Sequence, residues 1–125
     1  MKKLKFNIDI YKWNVTLLII ESEKDCDSVD KILSPFAVDP DYKNEILSDI
    51  KDNVKDGGLH LHKNSARKSI IILNEMTSLQ MAEIILSHEK RHLEDAILQT
   101  CNIDDKEAAA YLAGHITEKI LQYQK

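Results

Sequence analysis

"ILSHEKRHLEDAIL", residues 84–97, decides how the rest of the chain is read, because His88 and His92 stand four apart and Glu89 directly follows the first. On an α-helix, residues four apart lie one above the other, so both imidazoles reach one point while Glu89 is turned by about 100°. Met81 and Ile85 run ahead of His88 along the same face, and this predicts that the histidines turn toward the core. Zinc suits such a pair: neutral imidazole binds it well, and a catalytic site keeps three protein ligands and a water. A carboxylate beside that water takes its proton during attack on a carbonyl, the role the spacing offers Glu89. With five histidines and nine glutamates in 125 residues, H-E-x-x-H arises by chance in roughly one such sequence per hundred. Context has to decide.

Working outward, Thr77 with Gln80 three residues later forms a capping-box pattern, and the helix it opens should run to about Gln99. Ahead of it lies "SIIIL" (69–73), which pairs with "LHLH" (59–62) across Asn64-Ser65 in a predicted hairpin of strands 59–63 and 68–73. The SIIIL strand is expected alongside a cleft, where it pairs with an extended peptide. Downstream, a helix starting near Asp104 or Asp105 carries Tyr111, Leu112, Ile116, Ile120 and Leu121 on one side. A reversal near Cys101-Asn102 should fold it back with Glu107 facing the histidines.

Residues 4–20 alternate Phe6, Ile8 and Ile10 and are rich in β-branched and aromatic side chains, so they read as one long strand or a hairpin. A short helix follows, capped by Asp27 or Ser28 and ending before Pro35. A second, one-sided helix runs from Asp39-Pro40 through Ile46, Ile50 and Val54 to a stop at Gly57-Gly58. The order strand, helices, hairpin, helix, helix predicts an α+β fold, with residues 1–125 as a single domain.

Bulk properties narrow the partners. A charged fraction of 30% and a hydrophobic fraction of 43% are those of a globular protein. A net charge of −4 gives no reason to expect nucleic-acid binding, which needs a concentrated basic surface; Lys2, Lys3 and Lys5 read as a solvated tip. The longest apolar run, Val15 to Ile20, has strand length, so no membrane span and no secretory leader is expected. Cys26 and Cys101 have no zinc-ligand spacing and read as free thiols of a cytoplasmic protein.

"HEKRHLEDAI" (88–97) followed by "IDDKEAAAYLAGHI" (103–116) resembles the zincin metallopeptidases whose third metal ligand is a glutamate on the helix after H-E-x-x-H. It resembles more closely the small H-E-x-R-H proteins encoded by phages and mobile elements. The matching pieces cover the C-terminal two thirds of the chain, and residues 1–56 contribute no motif. The resemblance implies a minimal zincin-like domain: a small sheet with a β-hairpin packed on the H-E-x-x-H helix, and a following C-terminal helix. It implies a Zn2+ ion held by His88, His92 and Glu107, Glu89 as general base, and a peptide or protein substrate. The alternative is a non-catalytic binding module that keeps the zincin scaffold.

Each site residue has a second reading. Glu107 also fits the third position of a capping box opened by Asp104. Asp95, three residues after His92, is a rival ligand. Three side chains on one straight helix span too far for tetrahedral zinc, so Asp95 reads better as an acceptor behind the ligands or as the Arg91 partner. Asp104 and Asp105 are further rivals within the cap. Tyr111, one turn past Glu107, either steadies an oxyanion or packs in the core. His115, two turns past Glu107, either points into the same cleft or is an ordinary histidine. His60 and His62 share one strand face and read as substrate-facing rather than metal-binding, since no acidic or sulfur partner lies nearby. Gly114 is expected to let two helices approach closely. Nothing in the sequence names the substrate or the oligomeric state.

Overall fold

Two hairpins of the same construction form the sheet. The computed structural model of the protein describes residues 1–123, and of Tyr123 the backbone only. Residues 2–19 form strands β1 (Lys2–Ile8) and β2 (Trp13–Ile19), paired antiparallel with Phe6 opposite Val15. The chain reverses through a single 3-10 turn at Asp9–Tyr11, closed by Lys12 in the left-handed region at φ 52. The second hairpin repeats this device: β3 (Gly58–Lys63) and β4 (Lys68–Leu73) flank a 3-10 turn at Asn64–Ala66, with Arg67 at φ 50. β2 and β4 then pair in parallel, giving a four-stranded mixed sheet in the order β1-β2-β4-β3.

The SIIIL strand is therefore central, hydrogen-bonded to β2 on one side and β3 on the other. It has no free edge for a peptide; the free edges belong to β1 and β3. The physical reason is visible in burial: Ile70 through Leu73 are all at most 4% exposed. A strand covered on both faces carries a continuous apolar run, not an alternating one.

Helices cover both faces. On one side Leu18, Ile20, Ile70 and Ile72 pack against α1 (Cys26–Leu33) and α2 (Pro40–Lys51) through Val29, Leu33, Ile46 and Ile50. On the other, Val15, Leu17, Ile71 and Leu73, with Trp13, pack against α3 (Leu79–Thr100) and α4 (Lys106–Tyr123) through Leu93, Ile97, Leu112 and Ile116. The α+β expectation holds in this form. Among the described residues, no helix is long and apolar enough to cross a membrane. Cys26 and Cys101 are free, one in each core cluster.

Several boundaries differ from the sequence expectation, each for a local reason. α2 ends at Lys51 rather than at the glycines, because Asn53 adopts the left-handed conformation at φ 58 and its amide bonds the Ile50 carbonyl. Val54 lies outside the helix and is 42% exposed. The turn into α1 is capped by Ser22 and Asp25, not by Asp27 or Ser28. α3 is capped by Ser78, whose hydroxyl accepts from the Met81 amide at 3.1 Å; the neighbouring Thr77 instead binds Asp56 through its amide and hydroxyl. On α4, Leu112, Ile116 and Ile120 are buried as the apolar side, whereas Tyr111 is 77% exposed.

Candidate metal centre

α3 carries the motif, and its orientation follows from which residues it buries. Leu93, Ala96 and Ile97 face the core, and Glu89 lies on the edge of that buried stripe at only 5% exposure. Gly58 allows the helix to sit low over β3: a Cβ there would stand 2.7 Å from Ile85 Cγ2 and 3.2 Å from Glu89 Cγ. Glycine is required here by close approach, not by backbone conformation. Glu89 is thus pressed between the helix and β3, one of the sheet's two edge strands.

His88 and His92 are exposed rather than turned toward the core, which is a correction to the sequence reading. Their rings nevertheless converge. The two Nε2 atoms are 3.1 Å apart, with ring centroids at 4.7 Å and the planes nearly perpendicular. At this distance the Nε2–H of one ring can donate to the Nε2 of the other. Two nitrogens bound to tetrahedral zinc at 2.0–2.1 Å would be about 3.3 Å apart. The pair fits two vertices of such a site with a small adjustment.

His92 and Glu89 line a hollow of about 490 Å³ together with Gly58, His60 and His62 of β3 and Asp95 of α3. Burial pushes the Glu89 carboxyl above the usual carboxylate range, against the pull of the His92 and His88 charges. Burial likewise brings His60 down to about 4, helped by the like charges of His62 and His92. His60 therefore stands as a neutral imidazole at physiological pH. Its Nε2 lies 2.9 Å from Ser69 Oγ, which also accepts from the Trp13 indole N–H at 2.9 Å.

The predicted partners on α4 are not brought to this place. α4 packs on the flank of α3 that carries Lys90 and Glu94, where Lys90 Nζ reaches the Ala113 carbonyl at 3.4 Å. At about 100° per residue that flank is some 160° around the helix from His92. Glu107 is exposed at the start of α4, with its amide bonded to the Asp105 carboxylate. Tyr111, His115 and Gly114 line a separate groove with Ile8, Ile10 and Tyr11, beyond α4. His115 Nε2 is buried there without a hydrogen-bond partner. Gly114 is exposed, and a Cβ on it would meet nothing within 4 Å, so it does not serve helix approach. Asp104 is exposed, and Asp105 acts as a cap. Asp95 stays beside His92 and pairs with Arg91 at 3.5 Å. Among the described residues, no group of three His, Cys, Asp or Glu side chains is assembled to hold a metal.

His60, Ser69 and Trp13 were the residues that sequence reasoning undervalued. The H-x-H alternation on a strand was a visible signal, but nothing local said that this strand would lie under α3. Another hollow, of about 700 Å³, is on the opposite face of the sheet near Lys3, Lys5 and Lys68, and holds no histidine or acid. Compared with models of known protein families, with curated proteins and with solved structures, the chain matches none.

Proposed function

We propose that the protein is a zinc-dependent peptide hydrolase in which His88 and His92 are metal ligands and Glu89 is the general base. The observation that carries this reading is the conjunction on one helical turn of two imidazole nitrogens 3.1 Å apart and a buried carboxyl with a raised pKa. Bound zinc supplies Lewis acidity that brings the pKa of a water to roughly 7. Glu89 does the proton work: desolvation over Gly58 brings its pKa closer to that of its donor, so it takes a proton from water and passes it to the leaving amine. The free edge of β3 runs beside this centre and offers unpaired backbone groups to an extended peptide. The H-E-x-x-H helix laid over such an edge agrees with the zincin resemblance.

A second reading is a zinc-dependent binding module without turnover. It is favoured by one observation: Tyr111, the residue expected to steady an oxyanion, lies beyond α4 and away from the histidines. The two readings separate in one experiment. Zinc-loaded protein is incubated with a mixed peptide library and cleavage is read by mass spectrometry. The hydrolase reading expects cuts that Glu89→Gln reduces on the order of 10²–10⁴-fold while zinc content is unchanged. A zinc-loaded wild type that leaves the library intact would select the binding module; cleavage by Glu89→Gln at the wild-type rate would remove Glu89 as base.

A further inference from the structure

We infer that the third protein ligand of this centre is His60, supplied by the edge strand β3 through Nδ1, rather than a carboxylate from α4. The inference rests on the zinc reading above and specifies how the site is completed.

Register places His60 near the level of His92. Gly58 lies against Ile85 and Glu89. His60 and His62 of β3 line one hollow with Glu89, His92, Asp95 and Gln99 of α3. Two strand residues advance about 6.8 Å, which matches four to five helical residues. From the level of Ile85 and Glu89, that step brings His60 to about the level of His92. His62, one step further, comes level with Asp95 and Gln99.

The orienting contacts also belong to a ligand. A metal-binding histidine characteristically gives its other ring N–H to an acceptor that fixes tautomer and ring plane. His60 has that acceptor in Ser69 Oγ, which is held in turn by the buried Trp13 indole. With Nε2 so engaged, Nδ1 is the nitrogen left to bind a metal. His62 has a ring contact with His60 but is exposed. The competing donors are occupied or remote: Asp95 pairs with Arg91, Asp105 caps α4, and Glu107 is held at the start of α4, which packs on the opposite flank of α3. Assembly of the three imidazoles takes side-chain rotation of His88 and His92, both of which are exposed.

The test is a zinc affinity series measured by competition with a chromophoric chelator, with the thermal midpoint of each apo variant as a check of folding. His60→Ala and His60→Gln, the latter keeping a hydrogen-bonding group toward Ser69, should each weaken zinc by more than the roughly 100-fold that loss of an outer partner costs. Ser69→Ala should fall in the range of about 10–100-fold, and Glu107→Ala should bind as the wild type does. In the wild-type protein, zinc should displace the nitrogen resonance of His60 Nδ1, a readout that requires no variant to fold. Wild-type affinity in both His60 variants, an unmoved Nδ1 resonance, or loss of zinc from Glu107→Ala would overturn the assignment while leaving a His88–His92 zinc site standing. No zinc binding by the wild type would remove both.

Discussion

Two glutamates five residues apart on α3, Glu89 and Glu94, are equally buried at 5% exposure, yet their surroundings differ completely. Glu94 is on the flank that meets α4 and is bonded to Lys90 at 2.7 Å, with Arg91 at 4.0 Å. It is a buried charge with its countercharge beside it, the condition under which a charge in the interior is tolerated. Glu89 is on the flank that meets β3, and among the described residues no hydrogen bond or ion pair reaches its carboxyl. Burial raises its pKa, against the pull of the His92 and His88 charges. One flank of the helix is sealed by matched charges. The other keeps an unmatched acid beside two convergent imidazoles, the arrangement on which the proposed metal centre rests.

That contrast can be broken from either side. The largest effect is expected from Lys90→Ala, which leaves Glu94 buried without its main partner. Chemical denaturation should show a loss of about 2–3 kcal/mol, below the full value for a wholly buried pair because Lys90 is one-fifth exposed. Gly58→Ala should cost about 1–3 kcal/mol by forcing α3 away from β3, and should loosen the Glu89 environment at the same time. Glu89→Gln should leave stability unchanged or raise it by up to about 1 kcal/mol, since it removes a desolvated acid. A loss as large as that of Lys90→Ala would show that Glu89 has a structural partner and would end the comparison.

The smallest effect concerns the loop that leads into β3. Hydrogen bonds from the Thr77 amide and hydroxyl hold the Asp56 carboxyl below the ordinary carboxylate value. Its folded-state pKa is depressed, so its contribution is present above the unfolded value of about 3.9 and is lost as pH falls through the folded one. Asp56→Asn should therefore lower stability slightly in the neutral region and flatten the acid limb, so that variant and wild type converge as pH falls below about 4.

Where the sequence was legible, the signal was local. The second hairpin, the helix through 84–97 and the start of α4 near Asp105 follow from periodicity and turn residues within a few positions, whereas residues 4–20 read equally as one long strand or as the hairpin they form. The central position of β4 was also encoded, because Ile70 to Leu73 do not alternate, and an edge strand with one wet face would. Cap positions slid by a residue or more where a neighbour bound a distant partner, as Thr77 does with Asp56. The site was only half legible. H-E-x-x-H fixes the relation of His88, His92 and Glu89, since one helix carries all three. Which flank α4 takes depends on long-range packing of Leu112 and Ile116 against Leu93 and Ile97, and no spacing between His92 and Glu107 encodes that. The same holds for His60, whose nearness to α3 depends on the missing side chain of Gly58.

The central claim is that the open flank of α3 is a metal centre, and metal content tests it most directly. Wild-type protein and a His88→Ala/His92→Ala double variant are stripped with a chelator, reloaded with zinc, desalted and assayed for bound metal. One zinc per chain in the wild type and none in the variant is the expected result. Equal uptake by the two proteins, or none by either, would contradict it.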